Sequence, residues 1–282
     1  MPKYNSLILL GAALMSASVI AAENESGQSE ENKAEEVKVS SPWSVGLSGS
    51  YSRNAYKDSA YNAKRTFSAN VSVSRKFWND YRFTVSGGGY RSLDGAIGWY
   101  ETDIFGTVSK SNFVTLFDTI KSSASLRFSL PISELSRKDK LRTSVRGAIA
   151  FRYSPEEGLF ENFTLGLTPR VTKNFHEYKT VGTRSLTEWN LSNLTSLSYS
   201  YGKWSARIDF LNSANYSYQG TRKPLSMTHT ESISYQVTPK FGVSAGHTNS
   251  VTFFDREQGP DPVFEFFDER SSTFFISANY NF

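Results

Sequence analysis

The chain has 282 residues, with 31 Lys plus Arg against 27 Asp plus Glu, 21 Phe, 15 Tyr and no cysteine. Without cysteine there is no disulfide framework, no thiolate metal centre and no lipid-modified amino-terminal cysteine. The mean hydropathy is negative, which argues against a helical membrane protein but not against a β-barrel, where only alternate residues meet lipid.

Taken in chain order, Lys3 precedes the apolar run LILLGAALMSASVIAA at 7–22. One positive charge, a short apolar stretch and small residues at Ala21 and Ala22 predict a secretory signal peptide over 1–22, cleaved after Ala22. Residues 23–40 are polar and carry six Glu against Lys33 and Lys38. Such a segment buries too little apolar surface to fold, so it is read as a disordered acidic periplasmic leader.

From Trp43 onward apolar and polar residues alternate with period two, broken by turn residues. Strands are predicted at 43–53, 64–77, 81–91, 99–110, 117–132, 141–153, 160–176, 186–201, 204–218, 225–237, 241–254 and 271–282. An even number of strands returns both ends of the barrel domain, 41–282, to one side of a membrane. Short connections at 78–80, 201–203 and 238–240 alternate with longer ones at 54–63, 177–185 and 255–270. That is the pattern of periplasmic turns and outer loops.

The alternation assigns Phe67, Val71, Val73, Phe83, Val85, Leu141, Val145, Ile149, Leu165, Leu167, Val171 and Ile208 to lipid. Aromatics gather at strand ends, among them Trp43, Phe77, Tyr81, Trp189, Tyr201 and Trp204, as interfacial girdles require. The same parity turns Arg75, His229 and Glu231 toward lipid. Arg75 can snorkel from a strand end, but Glu231 lies mid-strand and demands a bulge or a shifted register.

The opposite face is rich in Ser, Thr, Gly and Asn. Its parity also directs Lys64, Lys76, Arg82, Lys121, Arg127, Arg142, Arg146, Arg152, Arg170 and Arg207 inward, against Glu101, Asp103, Glu188 and Asp209. Of these, Arg127, Arg142, Arg146, Arg170 and Arg207 are the candidate pore-lining residues. A guanidinium is a fixed positive charge whose planar donors match carboxylates and phosphates. The same arginines could instead pair with inward acids and plug a closed lumen.

For catalysis, His247, Asn249 and Ser250 supply residue types of an outer-membrane phospholipase, but the alternation puts Ser250 on the face opposite the other two. A nucleophile must lie within hydrogen-bond reach of its base, so no enzyme is expected. No metal-ligand spacing and no phosphate-cradling Gly loop is present, and no cofactor is expected. The acidic segment 255–270 is read as a solvated loop folded partly over the barrel mouth, with Ca²⁺ bridging to lipopolysaccharide phosphates as the alternative.

The last ten residues, TFFISANYNF, place Phe274, Ile276, Ala278, Tyr280 and Phe282 on one face. This segment resembles the terminal strand of Gram-negative outer-membrane β-barrels. The resemblance implies an all-β, antiparallel up-and-down barrel in the cell outer membrane, with Tyr280 and Phe282 as the signal read by the barrel assembly machinery. Lipid and lipopolysaccharide are its other expected partners, and nucleic acid is not one. LRFSLPISELSRKDKL at 126–141 and VTKNFHEYKT at 171–180 are similar to a group of proteobacterial outer-membrane barrels without assigned substrates. With its inward arginines the chain also resembles small 12-stranded channels for acidic oligosaccharides. A narrow anion-preferring channel is therefore expected, with a closed structural or interaction barrel and an outer-membrane enzyme as alternatives.

Overall fold

The computed structural model describes residues 41–282 apart from 58, 59, 79, 96, 115–119, 156, 159, 255–258, 260–264, 269 and 270. The signal peptide and leader read from the sequence lie outside the described residues. The strands are β1 (Trp43–Asn54), β2 (Arg65–Phe77), β3 (Tyr81–Ser92), β4 (Gly98–Glu101), β5 (Ile104–Ser111), β6 (Ile120–Leu130) and β7 (Leu141–Tyr153). They continue as β8 (Phe163–His176), β9 (Thr180–Val181), β10 (Arg184–Ser185), β11 (Thr187–Tyr201), β12 (Trp204–Ser217), β13 (Ser226–Thr238), β14 (Phe241–Thr252) and β15 (Thr273–Asn281). A short helix, α1 (Glu134–Lys138), lies between β6 and β7.

Successive barrel strands pair antiparallel, and β1 closes on β15 from Gly46↔Asn281 to Asn54↔Thr273. β4 and β5 both pair with β3 and are two halves of one barrel strand, while β9 and β10 form a separate hairpin in an outer loop. The result is a closed barrel of 12 strands. Closure leaves no sheet edge, which a membrane requires because lipid offers backbone groups no partner.

The exterior follows the sequence pattern. Phe67, Val71, Val73, Phe83, Val85, Ile149, Leu165, Leu167, Val171 and Ile208 are all exposed large apolar side chains. In a water-soluble protein that surface would aggregate; on a barrel it is the lipid-facing band. Aromatic pairs sit at the end of the short turns: Trp204 against Tyr235 and Tyr280 against Phe282, both with ring centroids 4.7 Å apart. Arg75 emerges there too, its guanidinium 5.1 Å from the centre of the Trp43 ring.

Three irregularities correct the simple alternation. The β3–β4 and β3–β5 registers differ by one residue, so a bulge lies at Thr102 and Asp103. It leaves Glu101 on the exterior with Trp99, not inward, while Asp103 faces the interior. A second bulge, between Leu141 and Thr143, sets Leu141 opposite His176 on the inner side and not toward lipid. A third, between Thr187 and Trp189, lets Glu188 reach Lys173 on the exterior at 3.5 Å, so it too leaves the inward set. Each bulge adds one residue and so inverts the parity beyond it.

The interior is not wholly polar. Leu194 and Leu211 face each other on the inner side of β11 and β12, and Leu194 is buried. Gly246 lies beneath the Phe275 ring, where an added Cβ would come within 2.5 Å of a ring carbon. The absence of a side chain at Gly246 is what makes room for that inward ring.

Candidate functional site: a basic lumen

Arg127, Arg146 and Arg170 stand on neighbouring strands β6, β7 and β8. Exposed Leu126 and Phe128 flank Arg127, and exposed Pro169 and Val171 flank Arg170, so both guanidinium groups point inward. Arg127 is directly opposite Arg146 in the ladder, and Arg146 is opposite Thr172. Arg146 Nε donates to Thr172 Oγ1 at 3.0 Å, and Arg127 Nε donates to Thr107 Oγ1 at 3.3 Å. Arg127 also lies over the Phe105 ring at 5.4 Å. The three charges are close enough to repel: Arg127 feels both Arg146 and Arg170.

Among the described residues no carboxylate lies within ion-pair distance of these three. Asp209 acts on Arg170 only at longer range and is held by Arg207, whose Nε donates to both carboxylate oxygens at 2.9 and 2.8 Å. Of the four acids assigned inward, Glu101 and Glu188 have left the interior. Asp103 is occupied by α1, accepting from the Ser133 N–H at 2.8 Å and the Ser136 hydroxyl at 2.6 Å. The lumen is thus more basic than simple parity predicts.

The positive charge extends along the barrel. Lys76 faces Arg82, and Lys121 faces Arg152, near the short-turn end. Like charges opposed across a ladder are destabilising, so the Arg127–Arg146 and Lys76–Arg82 pairs call for a reason beyond folding. Arg142 stands apart. It occupies the β7 bulge at the outer end and is exposed, away from the central trio.

The outer mouth is furnished by loops. Ser133 caps α1, its hydroxyl accepting from the Ser136 N–H at 3.3 Å. Glu134 begins the helix and Arg137 and Lys138 end it, matching the helix dipole. The Asp103 hydrogen bonds tie this helix to the inner wall. Sequence reading missed it because one helical turn leaves no periodic signal. Asp139 pairs with Arg184 of β10. Next to it a cavity of about 540 Å³ is lined by Arg184, Ser185, Thr187 and Lys223, among others. Lys223 Nζ donates to Ser185 O at 2.9 Å and Thr187 Oγ1 at 2.8 Å. Burial, and Arg184 after it, push the Lys223 ammonium below its ordinary range, while Asp139 opposes the shift.

The acidic segment 255–270 lies largely outside the described residues. Of its described residues, those at 265–268 rest on the exterior wall of β13 and β14. Asn249 Nδ2 donates to Glu265 O at 2.6 Å, and the Phe266 ring meets the His229 ring edge-on at 5.2 Å. This accounts for the outward His229 and Glu231. The register of β13 is regular through both, with Ile208↔Glu231 and Phe210↔His229, and His229 is shielded from lipid by the loop. Ser250 faces inward, bonded to Thr228, on the side opposite His247 and Asn249.

At the carboxyl end, the Phe282 N–H donates to Val45 O at 2.9 Å and seals the β1–β15 seam. Both Tyr280 and Phe282 project outward and are exposed.

No known protein-family profile matches the chain, and no curated protein matches it. Solved structures do. The NanC porin covers 84% of this chain and 98% of its own, with TM-score 0.56 and 10% identity. The COG4313 outer membrane channel from Pseudomonas putida F1 covers 90% of this chain and 100% of its own, with TM-score 0.57 and 11% identity. The KdgM porin covers 84% and 99%, with TM-score 0.50 and 8% identity, and a second KdgM structure is a complex with disordered oligogalacturonate. At such identities the likeness is one of fold, and it agrees with the lipid-facing exterior: the chain is a 12-stranded outer-membrane β-barrel of porin-like architecture.

Proposed function

We propose that the protein is a narrow passive channel of the outer membrane that prefers anions and passes small acidic solutes. The observation that carries this reading is the trio Arg127, Arg146 and Arg170, which lines one inner wall with no carboxylate in ion-pair reach among the described residues. Guanidinium groups on neighbouring strands gain from an anion among them, because it offsets their mutual repulsion and fills their donor forks. Low-dielectric walls around a narrow aqueous path strengthen that attraction. Arg184 and Lys223 at the mouth, and Lys76, Arg82, Lys121 and Arg152 near the other end, would extend a basic track along the path. The KdgM porin, in complex with disordered oligogalacturonate, lends the fold a precedent for such solutes.

The experiment is ion selectivity in planar bilayers. Reversal potentials across a salt gradient should show anion preference. The preference should fall as ionic strength rises, since the screening length drops from about 10 Å at 0.1 M to about 3 Å at 1 M. Replacing Arg127, Arg146 and Arg170 together with Ser should weaken or invert it. A wild-type barrel that conducts nothing would defeat the channel reading. It would favour the second reading, a barrel closed at its mouth, to which the tether between α1 and Asp103 lends support.

A further inference from the structure

Outward-facing ionisable groups on a barrel wall are expensive in lipid, and here three converge. His229 and Glu231 lie on β13, and His247 lies opposite Glu231 on β14. We propose that His229, Glu231 and His247 form a binding site for a divalent transition metal of the Zn²⁺ type on the exterior wall. On binding, the ion holds Ser272 and residues 266–268 against β13 and β14.

Three observations carry this. The first is distance. His229 Nε2 lies 3.2 Å from Glu231 Oε1, and His247 Nδ1 lies 3.8 Å from the same oxygen. One ligand atom from each residue falls within 4.8 Å of the other two. A tetrahedral ion with bonds of about 2.0–2.1 Å holds its ligand atoms about 3.3 Å apart. The 3.8 Å separation is too long for a hydrogen bond but close to what a shared ion would span.

The second is orientation. His247 Nε2 lies 3.0 Å from the Ser272 hydroxyl, which itself accepts from the Asp268 N–H at 3.1 Å. A histidine that binds metal through one ring nitrogen is ordinarily held by a hydrogen bond at the other. Ser272 supplies that hold and belongs to the loop, so occupancy of the site and seating of the loop are coupled.

The third is enclosure with one open side. Phe210 stacks on His229 at 5.3 Å and Phe266 meets it edge-on, while Phe267 and Phe274 cover His247 at 5.9 and 5.1 Å. Glu231 remains half-exposed, its side chain at 51% of full accessibility. Aromatic walls raise the strength of metal–ligand contacts by excluding water. The exposed carboxylate leaves an entry path and a fourth position for water. Two imidazoles and one carboxylate suit zinc rather than calcium or magnesium, which prefer all-oxygen shells.

The same groups could be read as a nucleophilic relay, Ser272–His247–Glu231. But Ser272 is fully buried, and its hydroxyl already accepts from the backbone, so no substrate reaches it.

The site can be tested on the untagged, folded barrel in detergent, which has only three histidines. After chelator treatment and equilibration with Zn²⁺, elemental analysis should give one ion per chain. Co²⁺ in its place should give the intense visible absorption of a tetrahedral centre. Glu231→Gln and His247→Ala should each weaken Co²⁺ binding more than tenfold while keeping heat-modifiable migration, and Ser272→Ala should weaken it less. Substoichiometric zinc in the wild type would overturn the proposal without any variant. So would full stoichiometry retained in a folded His229→Ala/His247→Ala protein, or labelling of Ser272 by a fluorophosphonate probe.

Discussion

Arg127 and Arg146 face each other directly across the β6–β7 ladder, both pointing into the barrel. A cross-strand pair of like charges costs a few tenths of a kcal/mol or more, and an opposite pair gains as much. Arg127→Glu should therefore stabilise the folded barrel by about 0.2–1 kcal/mol in urea unfolding. It should also reduce anion selectivity, because the local charge falls by two. Loss of stability in this variant would mean that the Arg127 contacts with Thr107 and Phe105 outweigh the repulsion from Arg146.

Asp103 holds α1 against the inner wall through Ser133 and Ser136. Hydrogen bonds to a charged acceptor contribute about 1.5–3 kcal/mol each. Asp103→Ala should free the helix, and single-channel recordings should show higher conductance with more flicker. Unchanged conductance would remove α1 from the conduction path.

The exterior assignment is open to direct measurement. Leu165 and Ile208 are exposed to lipid, so arginine at either should cost about 2–4 kcal/mol near mid-membrane. Thr168 and Ser213 lie on the inner face, on the same strands, and should tolerate polar replacement with little loss. Equal losses at the two sets, by equilibrium unfolding in lipid vesicles, would contradict the parity.

Acid should loosen the second outer loop. Arg65 donates to both Asp94 oxygens, at 3.2, 3.0 and 2.7 Å, and these hydrogen bonds hold the Asp94 carboxyl below its usual range. A depressed carboxylate stabilises the fold above its unfolded pKa of about 3.9, and the contribution fades as pH drops through the lower folded value. Protease cutting between β3 and β4 should thus be unchanged from pH 8 to 5 and rise below about pH 4. Asp94→Asn should show the raised cutting already at neutral pH.

Phe282 joins the β1–β15 seam through its backbone and presents its ring outward against Tyr280. Deleting it should lower the yield of heat-modifiable protein in the outer membrane. Normal yield would separate the terminal aromatic from assembly.

Period-two alternation in the sequence determined the strand number, nearly all strand limits, the lipid face and the inward direction of Arg127, Arg146, Arg170 and Arg207. It could do so because lipid and lumen are two different solvents on the two faces of each strand, and side chains sort between them residue by residue. Three things were decided only by tertiary structure. Bulges at Thr102–Asp103, Leu141–Thr143 and Thr187–Trp189 moved Glu101, Leu141 and Glu188 from their assigned faces, since one extra residue inverts parity and leaves no local mark in composition. The helix capped by Ser133 is held to the inner wall by Asp103, distant in sequence. Glu231, an acid turned outward, acquired its surroundings from His247 on the next strand and from His229, which Phe266 covers. Chain closure brings such groups together across strands, and no spacing along one strand encodes it.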